Sequence, residues 1–226
     1  MPRWSGGLQN VAKVTNHRHG KPAKVQIRQN VLDAVGRDVQ VFDAFAGSGE
    51  MHREVWRKAG GYVGCDQKWF RDERCAYVAD NRRVLRSIDL APFSIFDFDA
   101  FGSPWEQMLI VAARRAVRPG ERIGVVLTEG SMMKLKQGGI PKALGVAAGL
   151  TGKLSGLARW RDEIIERAIG GFAHRIGCAV DRRWQAAGKS AAQVLYIGLV
   201  LTGVSDAVER AADSDSRREE TFAGLS

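Results

Sequence analysis

The ten residues 41–50, VFDAFAGSGE, constrain the fold more than any other stretch of this chain. An apolar run leads into Asp43, and Gly47 and Gly49 then precede a segment of helical pattern at 50–60. Glycine permits both a sharp turn and a close approach of the main chain to a ligand. The first N–H groups of a helix also lack intrahelical partners. This stretch therefore predicts a strand, a ligand-binding turn and a helix in succession.

The rest of the chain extends this alternation. Strands spaced by helices indicate a parallel sheet, and two strand-like runs within 176–204 are close enough in sequence to form an antiparallel hairpin. The sequence thus predicts an α/β fold, mostly parallel, with a C-terminal antiparallel hairpin. The predicted strands are 39–45, 62–66, 74–80, 93–98 and 122–130, and the predicted helices are 27–35, 50–60, 82–89, 104–120 and 155–171.

Three segments are expected along the 226 residues. These are a basic N-terminal arm at 1–26, one domain at 27–204, and a polar, disordered tail at 205–226. The N-terminus lacks the apolar core of a signal peptide, and the apolar windows are short for a membrane span. A cytoplasmic protein without a membrane partner is therefore expected.

The three cysteines are Cys65, Cys75 and Cys178, and none lies in a CxxC pair. An odd number without paired spacing predicts reduced thiols and neither a disulfide framework nor a zinc site. No metal is expected.

The net charge of +9 is unevenly distributed along the chain. Residues 1–38 carry +5, residues 39–130 are neutral, residues 131–190 carry +7 and residues 191–226 carry −3. A neutral centre with basic flanks favours a polyanionic partner, and we expect a nucleic acid, DNA or RNA.

Two kinds of nucleotide-cofactor turn fit a strand–glycine–helix junction. A dinucleotide site of G-x-G-x-x-G type needs a third glycine where this chain has His52. The pattern D-x-F-x-G-x-G is matched in full by Asp43, Phe45, Gly47 and Gly49. Over about residues 39–204 the chain therefore resembles the class I S-adenosylmethionine-dependent methyltransferases.

This resemblance implies a Rossmann-like sheet, S-adenosylmethionine as the cofactor, and roles for the residues that follow each strand. The glycine turn would wrap the amino-acid end of the cofactor, with Asp43 near its ammonium group. Asp66, seventeen residues after Gly49, would accept the ribose hydroxyls, and Gln67 and Lys68 would flank the adenine. The implied cofactor-binding residues are Asp43, Ala44, Phe45, Gly47, Gly49, Asp66, Gln67, Asp80 and Asn81.

A second stretch, FDFDAFGSPW at 96–105, carries two carboxylates in an apolar run. At the end of the fourth strand, amine-directed nucleic-acid methyltransferases carry Asn/Asp-Pro-Pro-Tyr/Phe. The stretch is more similar to the Asp-Pro-Phe-Gly followed by Ser/Thr-Pro of tRNA guanine-N2 methyltransferases, with alanine in place of the first proline. The resemblance implies a catalytic group of Asp99, Ala100, Phe101 and Gly102.

These residue types suit methylation of an exocyclic amine. The carboxylate of Asp99 and the carbonyl of Ala100 can accept its two N–H groups, so that its lone pair faces the methyl donor. Phe101 can stack on an unstacked base. Asp97 points to the opposite face of the strand from Phe98, and we expect it to have a structural role or to support the residues that contact the substrate.

Other functions remain open at this point. The chain could methylate a small molecule or a protein, or it could be a non-catalytic nucleic-acid-binding module that retains the fold. The sequence does not choose between DNA and RNA, between target bases, or between oligomeric states. It also leaves open the effect of Ala100 in place of proline, and the role of the Gly-rich segment 131–154, for which a mobile, substrate-facing segment is our interpretation.

Overall fold

The computed structural model describes residues 9–10, 20–68, 71–150, 156–188 and 194–205. Eight strands and seven α-helices are found among them. The strands are β1 (Gln9–Asn10), β2 (Gln40–Asp43), β3 (Gly61–Asp66), β4 (Ala76–Val78), β5 (Phe93–Phe98), β6 (Arg122–Glu129), β7 (Cys178–Ala187) and β8 (Leu195–Gly203). The helices are α1 (Gly20–Val35), α2 (Glu50–Glu54), α3 (Asn81–Ser87), α4 (Trp105–Arg114), α5 (Met132–Lys136), α6 (Lys142–Ala147) and α7 (Arg161–Arg175), with 3-10 turns at Trp56–Lys58 and Leu157–Trp160.

The described strands form one sheet in the order β1-β7-β8-β6-β5-β2-β3-β4. Within the group β2 to β6, all neighbouring strands run parallel to one another. Strand β8 runs antiparallel to both of its neighbours, β6 and β7. The predicted mostly parallel sheet with a C-terminal antiparallel hairpin is confirmed. Because parallel strands end at one edge, the loops after β2, β3, β5 and β6 converge there.

Both faces of the central strands are buried, as expected for parallel strands covered by helices. Successive residues alternate between the faces: Phe42 and Phe96 pack on the side of α3, α4, α6 and α7, and Val41 and Ile95 pack on the side of α1 and α2. Two apolar layers therefore enclose the sheet. None of the helices in the described residues is long and apolar enough to cross a membrane.

Helix α1 is longer than the sequence analysis predicted. It begins at Gly20, not at Ile27, so residues 20–26 belong to the helix and not to the arm. Ala23 and Ile27 are both buried, and Pro22 lies in the first turn, where proline is tolerated. Within residues 1–19, Gln9–Asn10 pair in parallel with β7, and the remaining arm residues lie outside the described part of the chain.

The helix predicted at 104–120 ends earlier, at Arg114. The next residue, Arg115, has an extended main chain, and its buried guanidinium donates to the carbonyl of Phe93 and to Glu121. These inward contacts, and not Pro119-Gly120, end the helix.

The segment predicted as one helix at 155–171 consists of a 3-10 turn followed by α7. Leu157, Ile164 and Ala168 are buried, whereas Trp160, which shares their helical spacing in the sequence, is 48% exposed. The tighter 3-10 turn disrupts the α-helical spacing, so the indole does not face the core.

The Gly-rich segment 131–154 forms the short helices α5 and α6, which anchor Leu135 and Leu144 in the core. Its last four residues lie outside the described part of the chain, as do most of the predicted tail and of the hairpin turn between β7 and β8.

Candidate active site

Three main-chain hydrogen bonds join the loops at the carboxyl edge of the sheet. The N–H of Ala44 donates to the carbonyl of Asp97 (2.9 Å), and the N–H of Ala46 donates to the carbonyl of Cys65 (3.0 Å). The N–H of Gly130 donates to the carbonyl of Gly102 (2.6 Å). The loops that carry most of the sequence-predicted site residues are thus in direct contact.

The glycine loop, residues 44–49, depends on the glycines that the sequence singled out. Gly47 and Gly49 have φ angles of +45° and +76°, which L side chains rarely adopt. Asp66 accepts the N–H of Gly47 at Oδ2 and the N–H of Lys68 at Oδ1, both at 2.9 Å. One carboxylate therefore connects the glycine loop to the end of β3.

Arg74 covers the glycine loop, and the sequence analysis missed it. Its Nη1 and Nη2 donate to the carbonyls of Ala46 (3.0 Å) and Gly47 (2.8 Å), and Asp72 pairs with its Nη2 at 2.6 Å. A Cβ atom at Gly49 would lie 2.7 Å from Arg74 Cζ, so this packing requires glycine there. A cleft lined in part by Gly47, Asp66 and Arg74 opens beside the loop.

Asp43 lies beneath the glycine loop and is buried. Its Oδ1 accepts the N–H of Phe45 (3.1 Å), and its Oδ2 accepts the hydroxyl of Tyr62 (3.0 Å). Burial raises the pKa of Asp43, and the nearby charge of Asp97 raises it further. Asp43 therefore orders the loop from the interior, where Ala44 is also buried and Phe45 is partly buried.

Asp80 and Asn81 brace the loop from the side of α3. Asp80 caps that helix by accepting the N–H of Arg82 (2.8 Å), and the Arg82 side chain pairs with it at 2.6 Å. The hydrogen bond from this side chain is the largest cause that lowers the pKa of Asp80 to about 2. Asn81 donates to the carbonyl of Ala44 (2.8 Å) and accepts from Gln107 (3.0 Å), whereas Gln67 is exposed.

Asp97, in the middle of FDFDAFGSPW, is fully buried. Arg28 on α1 donates to both of its oxygens, at 2.6 and 2.8 Å, and the indole N–H of Trp56 donates at 2.8 Å. Burial raises the pKa of Asp97, while the charge of Arg28 opposes that rise. A buried ion pair with three donors agrees with the structural role expected from the sequence.

Asp99 lies at the surface end of the same ionic network, with 17% of its side chain exposed. Lys24 Nζ donates to both carboxylate oxygens, at 2.7 and 2.8 Å, and Thr128 donates to Oδ1 at 2.6 Å. Arg28 Nη2 lies 3.2 Å from Oδ2. Burial by itself raises the pKa of Asp99, but the charges of Arg28 and Lys24 outweigh it, so the pKa is lowered.

The other three residues of the implied catalytic group form a tight turn. Ala100 is buried and donates its N–H to the carbonyl of Phe98 (2.8 Å). Phe101 is fully exposed, and Gly102 has a φ of +116°. The turn therefore presents one aromatic ring to solvent beside Asp99.

The loop after β6 rests on a buried carboxylate. Glu129 accepts the indole N–H of Trp105 and the N–H of Ser131, and burial raises its pKa. This support holds Gly130 against the turn of Gly102.

Lys24, Arg28 and Thr128 complete the surroundings of Asp99, and sequence reasoning missed all three. The contacts of Asp99 with Lys24 and Asp97 with Arg28 span 75 and 69 residues, so no local motif contains them. One signal was present: Arg28 follows Ile27 and precedes Val31 on the apolar face of α1. A cation on such a face requires a buried acid elsewhere.

Comparison with known proteins bears on the fold. No family model and no curated protein sequence matches this chain. Among solved structures, N-methyltransferase NodS from Bradyrhizobium japonicum WM9, in complex with S-adenosyl-L-homocysteine, is similar with a TM-score of 0.50 at 10% identity, over 82% of this chain and 87% of that one.

Trm1 from Pyrococcus horikoshii, in complex with S-adenosyl-L-methionine, is similar with a TM-score of 0.54 at 15% identity. The match covers 85% of this chain and 57% of that one, so the chain spans little more than half the length of Trm1. This chain has the Rossmann-like fold of these methyltransferases, as the sequence predicted.

Proposed function

We propose that this chain is an S-adenosylmethionine-dependent methyltransferase that acts on an exocyclic amine of a nucleic-acid base, in DNA or RNA. One observation carries the proposal. Asp99, partly exposed, and Phe101, fully exposed, directly follow strand β5, which pairs with β2, the strand that leads into the glycine loop. A hydrogen-bond acceptor for an amine and a stacking surface for a base thus adjoin the loop that would bind the methyl donor.

The residues of the glycine loop and β3 fit S-adenosylmethionine, which when bound supplies a methyl group on a positively charged sulfur. An ionised carboxylate has about four acceptor positions, and Asp66 uses two for main-chain N–H groups. The others would accept the ribose hydroxyls. NodS and Trm1, whose structures contain S-adenosyl-L-homocysteine and S-adenosyl-L-methionine, support this cofactor assignment.

The remaining cofactor roles follow the resemblance and the positions of the residues. Gln67, exposed after β3, would lie along the adenine, and Asp80 with Asn81 would face its amino edge. Asp43, together with Ala44, Phe45, Gly47 and Gly49, would shape the loop around the amino-acid end. Asp43 is buried, so its carboxylate would act there mainly by ordering the main chain.

The acceptor chemistry is assigned to the turn after β5. Asp99 and the carbonyl of Ala100 would accept the two N–H groups of the target amine and direct its lone pair toward the methyl group. Phe101 would stack on the base, and Gly102 would allow the turn. Catalysis would then come mainly from positioning of the two reactants.

A polyanionic substrate agrees with the charge near this edge. Helix α5, which follows β6, exposes Lys134 and Lys136, and the neighbouring 3-10 turn exposes Arg159 and Trp160. The Arg159 guanidinium lies 5.4 Å from the Trp160 ring centroid. Cations beside aromatic rings suit phosphates and unstacked bases.

Two measurements test the proposal together. Calorimetry with S-adenosylmethionine tests the cofactor site, and transfer of a labelled methyl group to separate pools of DNA, RNA and protein tests the substrate. We expect saturable cofactor binding and label in a nucleic-acid pool, on an exocyclic amine. Label confined to the protein pool would favour a protein substrate, cofactor binding without label in any pool would favour a small-molecule substrate, and absence of cofactor binding would favour a non-catalytic module.

A further inference from the structure

Lys24 occupies the place on Asp99 that the proposed function gives to the target amine. Its Nζ lies 2.7 and 2.8 Å from the two carboxylate oxygens, which is how an amine nitrogen would approach them. An inference about this contact therefore rests on the proposed function and adds to it.

Lys24 holds more of the acceptor positions of Asp99 than any other residue. About four positions are available on a carboxylate; Lys24 takes two and Thr128 takes a third, while the Arg28 guanidinium is ion-paired with Oδ2 at 3.2 Å. Because Lys24 is hydrogen-bonded to both oxygens, an incoming amine competes with it for Asp99.

These three partners of Asp99 differ in their freedom to move. Arg28 is 1% exposed and is committed to Asp97 by two hydrogen bonds. Thr128 is buried within β6. Lys24 is 25% exposed, and its stem is long and flexible, so it is the donor that can swing into solvent.

We propose that Lys24 is a specificity-determining residue that leaves Asp99 for a phosphate of the substrate. An uncharged amine alone is a poor exchange for an ammonium ion, because Asp99 would lose a charged partner. A phosphate compensates the ammonium, so Asp99 becomes available when the amine is carried on a polyanion. Free nucleosides, which lack phosphate, are then discriminated against.

The charges around Asp99 determine what a Lys24 variant changes. The positive charges are Lys24 and Arg28 on α1. The negative charges are Asp97 on β5 and Asp43 on β2, and Asp43 interacts with Arg28. The hydroxyl of Thr128 also faces Asp99, and Tyr196 on β8 lies under the Lys24 ammonium, with its ring centroid at 5.3 Å. Without Lys24, Arg28 is the one positive charge left in this group.

The experiment compares methyl transfer to single-stranded oligonucleotides of mixed sequence with transfer to the corresponding nucleosides. The variant is Lys24→Met, and the matched control is Lys58→Met, an exposed lysine just before β3 at the opposite edge of the sheet. We expect the ratio of kcat/KM for oligonucleotide to that for nucleoside to fall about tenfold or more in Lys24→Met, through a lower nucleoside KM. The control should keep the wild-type ratio, and an unchanged ratio in folded Lys24→Met would overturn the proposal.

A binding readout separates this inference from the proposed activity. In fluorescence anisotropy, the log–log salt slope for the single-stranded oligonucleotide should fall by about 0.7 in Lys24→Met, which corresponds to one phosphate contact, and by less in Lys58→Met. Equal slopes in Lys24→Met and wild type would overturn the role of Lys24 whether or not methyl transfer occurs. A lower slope without any methyl transfer by the wild type would instead refute the proposed function and retain the phosphate contact.

A neutral variant that keeps hydrogen-bonding groups covers the case in which Lys24→Met fails to fold. Lys24→Gln should lower both the ratio and the slope in the same direction, and thermal melts establish that it is folded. A wild-type ratio and slope in Lys24→Gln would contradict the proposal.

Discussion

The two sides of the candidate active site hold their carboxylates by different means. On the cofactor side, formed by the loops after β2 and β3, Asp66 is bound by two main-chain N–H groups. On the acceptor side, formed by the ends of β5 and β6 with α1, Asp97 and Asp99 are bound chiefly by the charged side chains of Arg28 and Lys24.

This difference has consequences for stability and for ligand binding. The two main-chain N–H groups that bind Asp66 use about half of its acceptor positions, so the others would serve a ligand. Buried ion pairs offset the cost of placing charge in the interior and leave few positions free. In the proposed function, the cofactor side would therefore be prepared to bind, whereas the acceptor side would contribute to folding and would exchange Lys24 for the substrate.

The largest expected effect comes from breaking the acceptor side at Arg28. Arg28→Ala leaves Asp97 buried without its cation, so the free energy of unfolding should fall by about 3–5 kcal/mol. Denaturant unfolding measures this loss. As a control, Arg37→Ala removes an exposed ion pair with Asp33 at the end of α1. This variant should lower the free energy of unfolding by less than about 1 kcal/mol. Equal losses in the two variants would show that the buried network does not stabilise the fold.

On the cofactor side, Asp66→Ala should act on binding more than on folding. Loss of a charged acceptor for two hydroxyls should weaken S-adenosylmethionine binding by about 1.5–3 kcal/mol in calorimetry. Asp66→Asn should lose less, because its amide oxygen still accepts the N–H of Gly47. Unchanged affinity in Asp66→Ala would remove this residue from the cofactor site.

Variants of Phe101 test whether a residue of the acceptor side contributes to substrate binding without contributing to the stability of the fold. Phe101→Ala should weaken substrate binding by about 1–3 kcal/mol of stacking, while the melting temperature stays that of the wild type because the ring is fully exposed. Phe101→Tyr should retain the affinity. A lower melting temperature with unchanged affinity would instead assign the ring a structural role.

The smallest effect is expected at the helix cap beside the cofactor side. Asp80→Ala removes the N-cap of α3 and should lower the free energy of unfolding by about 1 kcal/mol at neutral pH. The folded state lowers the pKa of Asp80 from 3.8 to about 2, so its contribution is present above pH 4 and is lost as the pH falls toward 2. Unfolding of wild type and variant across this window should converge at the acidic end, and a difference independent of pH would contradict the ionic part of the cap.

The cofactor side was largely predictable from sequence because its residues fall at the ends of successive predicted strands. Gly47 and Gly49 signal their own turn, and Asp66 follows them at the end of the next strand. Arg74 was not predictable, because its contacts with the carbonyls of Ala46 and Gly47 span 28 and 27 residues. No residue pattern indicates that geometry.

On the acceptor side, the sequence predicted the acidic residues but not the residues that pair with them. Asp97 and Asp99 were visible as acids in an apolar run, but their partners lie on α1, about 70 residues away. Lys24 was interpreted as part of a basic arm and Arg28 as part of the helix predicted at 27–35, and neither was expected to face the acids. A one-dimensional pattern shows that a buried acid needs a cation, and the fold determines which cation it is.

The most direct test of the account is methyl transfer by Asp99→Ala, measured in a single turnover beside calorimetry with S-adenosylmethionine. If the acceptor side orients the target amine, transfer should fall by about 100-fold or more, while the cofactor affinity stays within a few-fold of wild type. Wild-type transfer by this variant would contradict the account and would leave the acid at the end of β5 with a structural role alone.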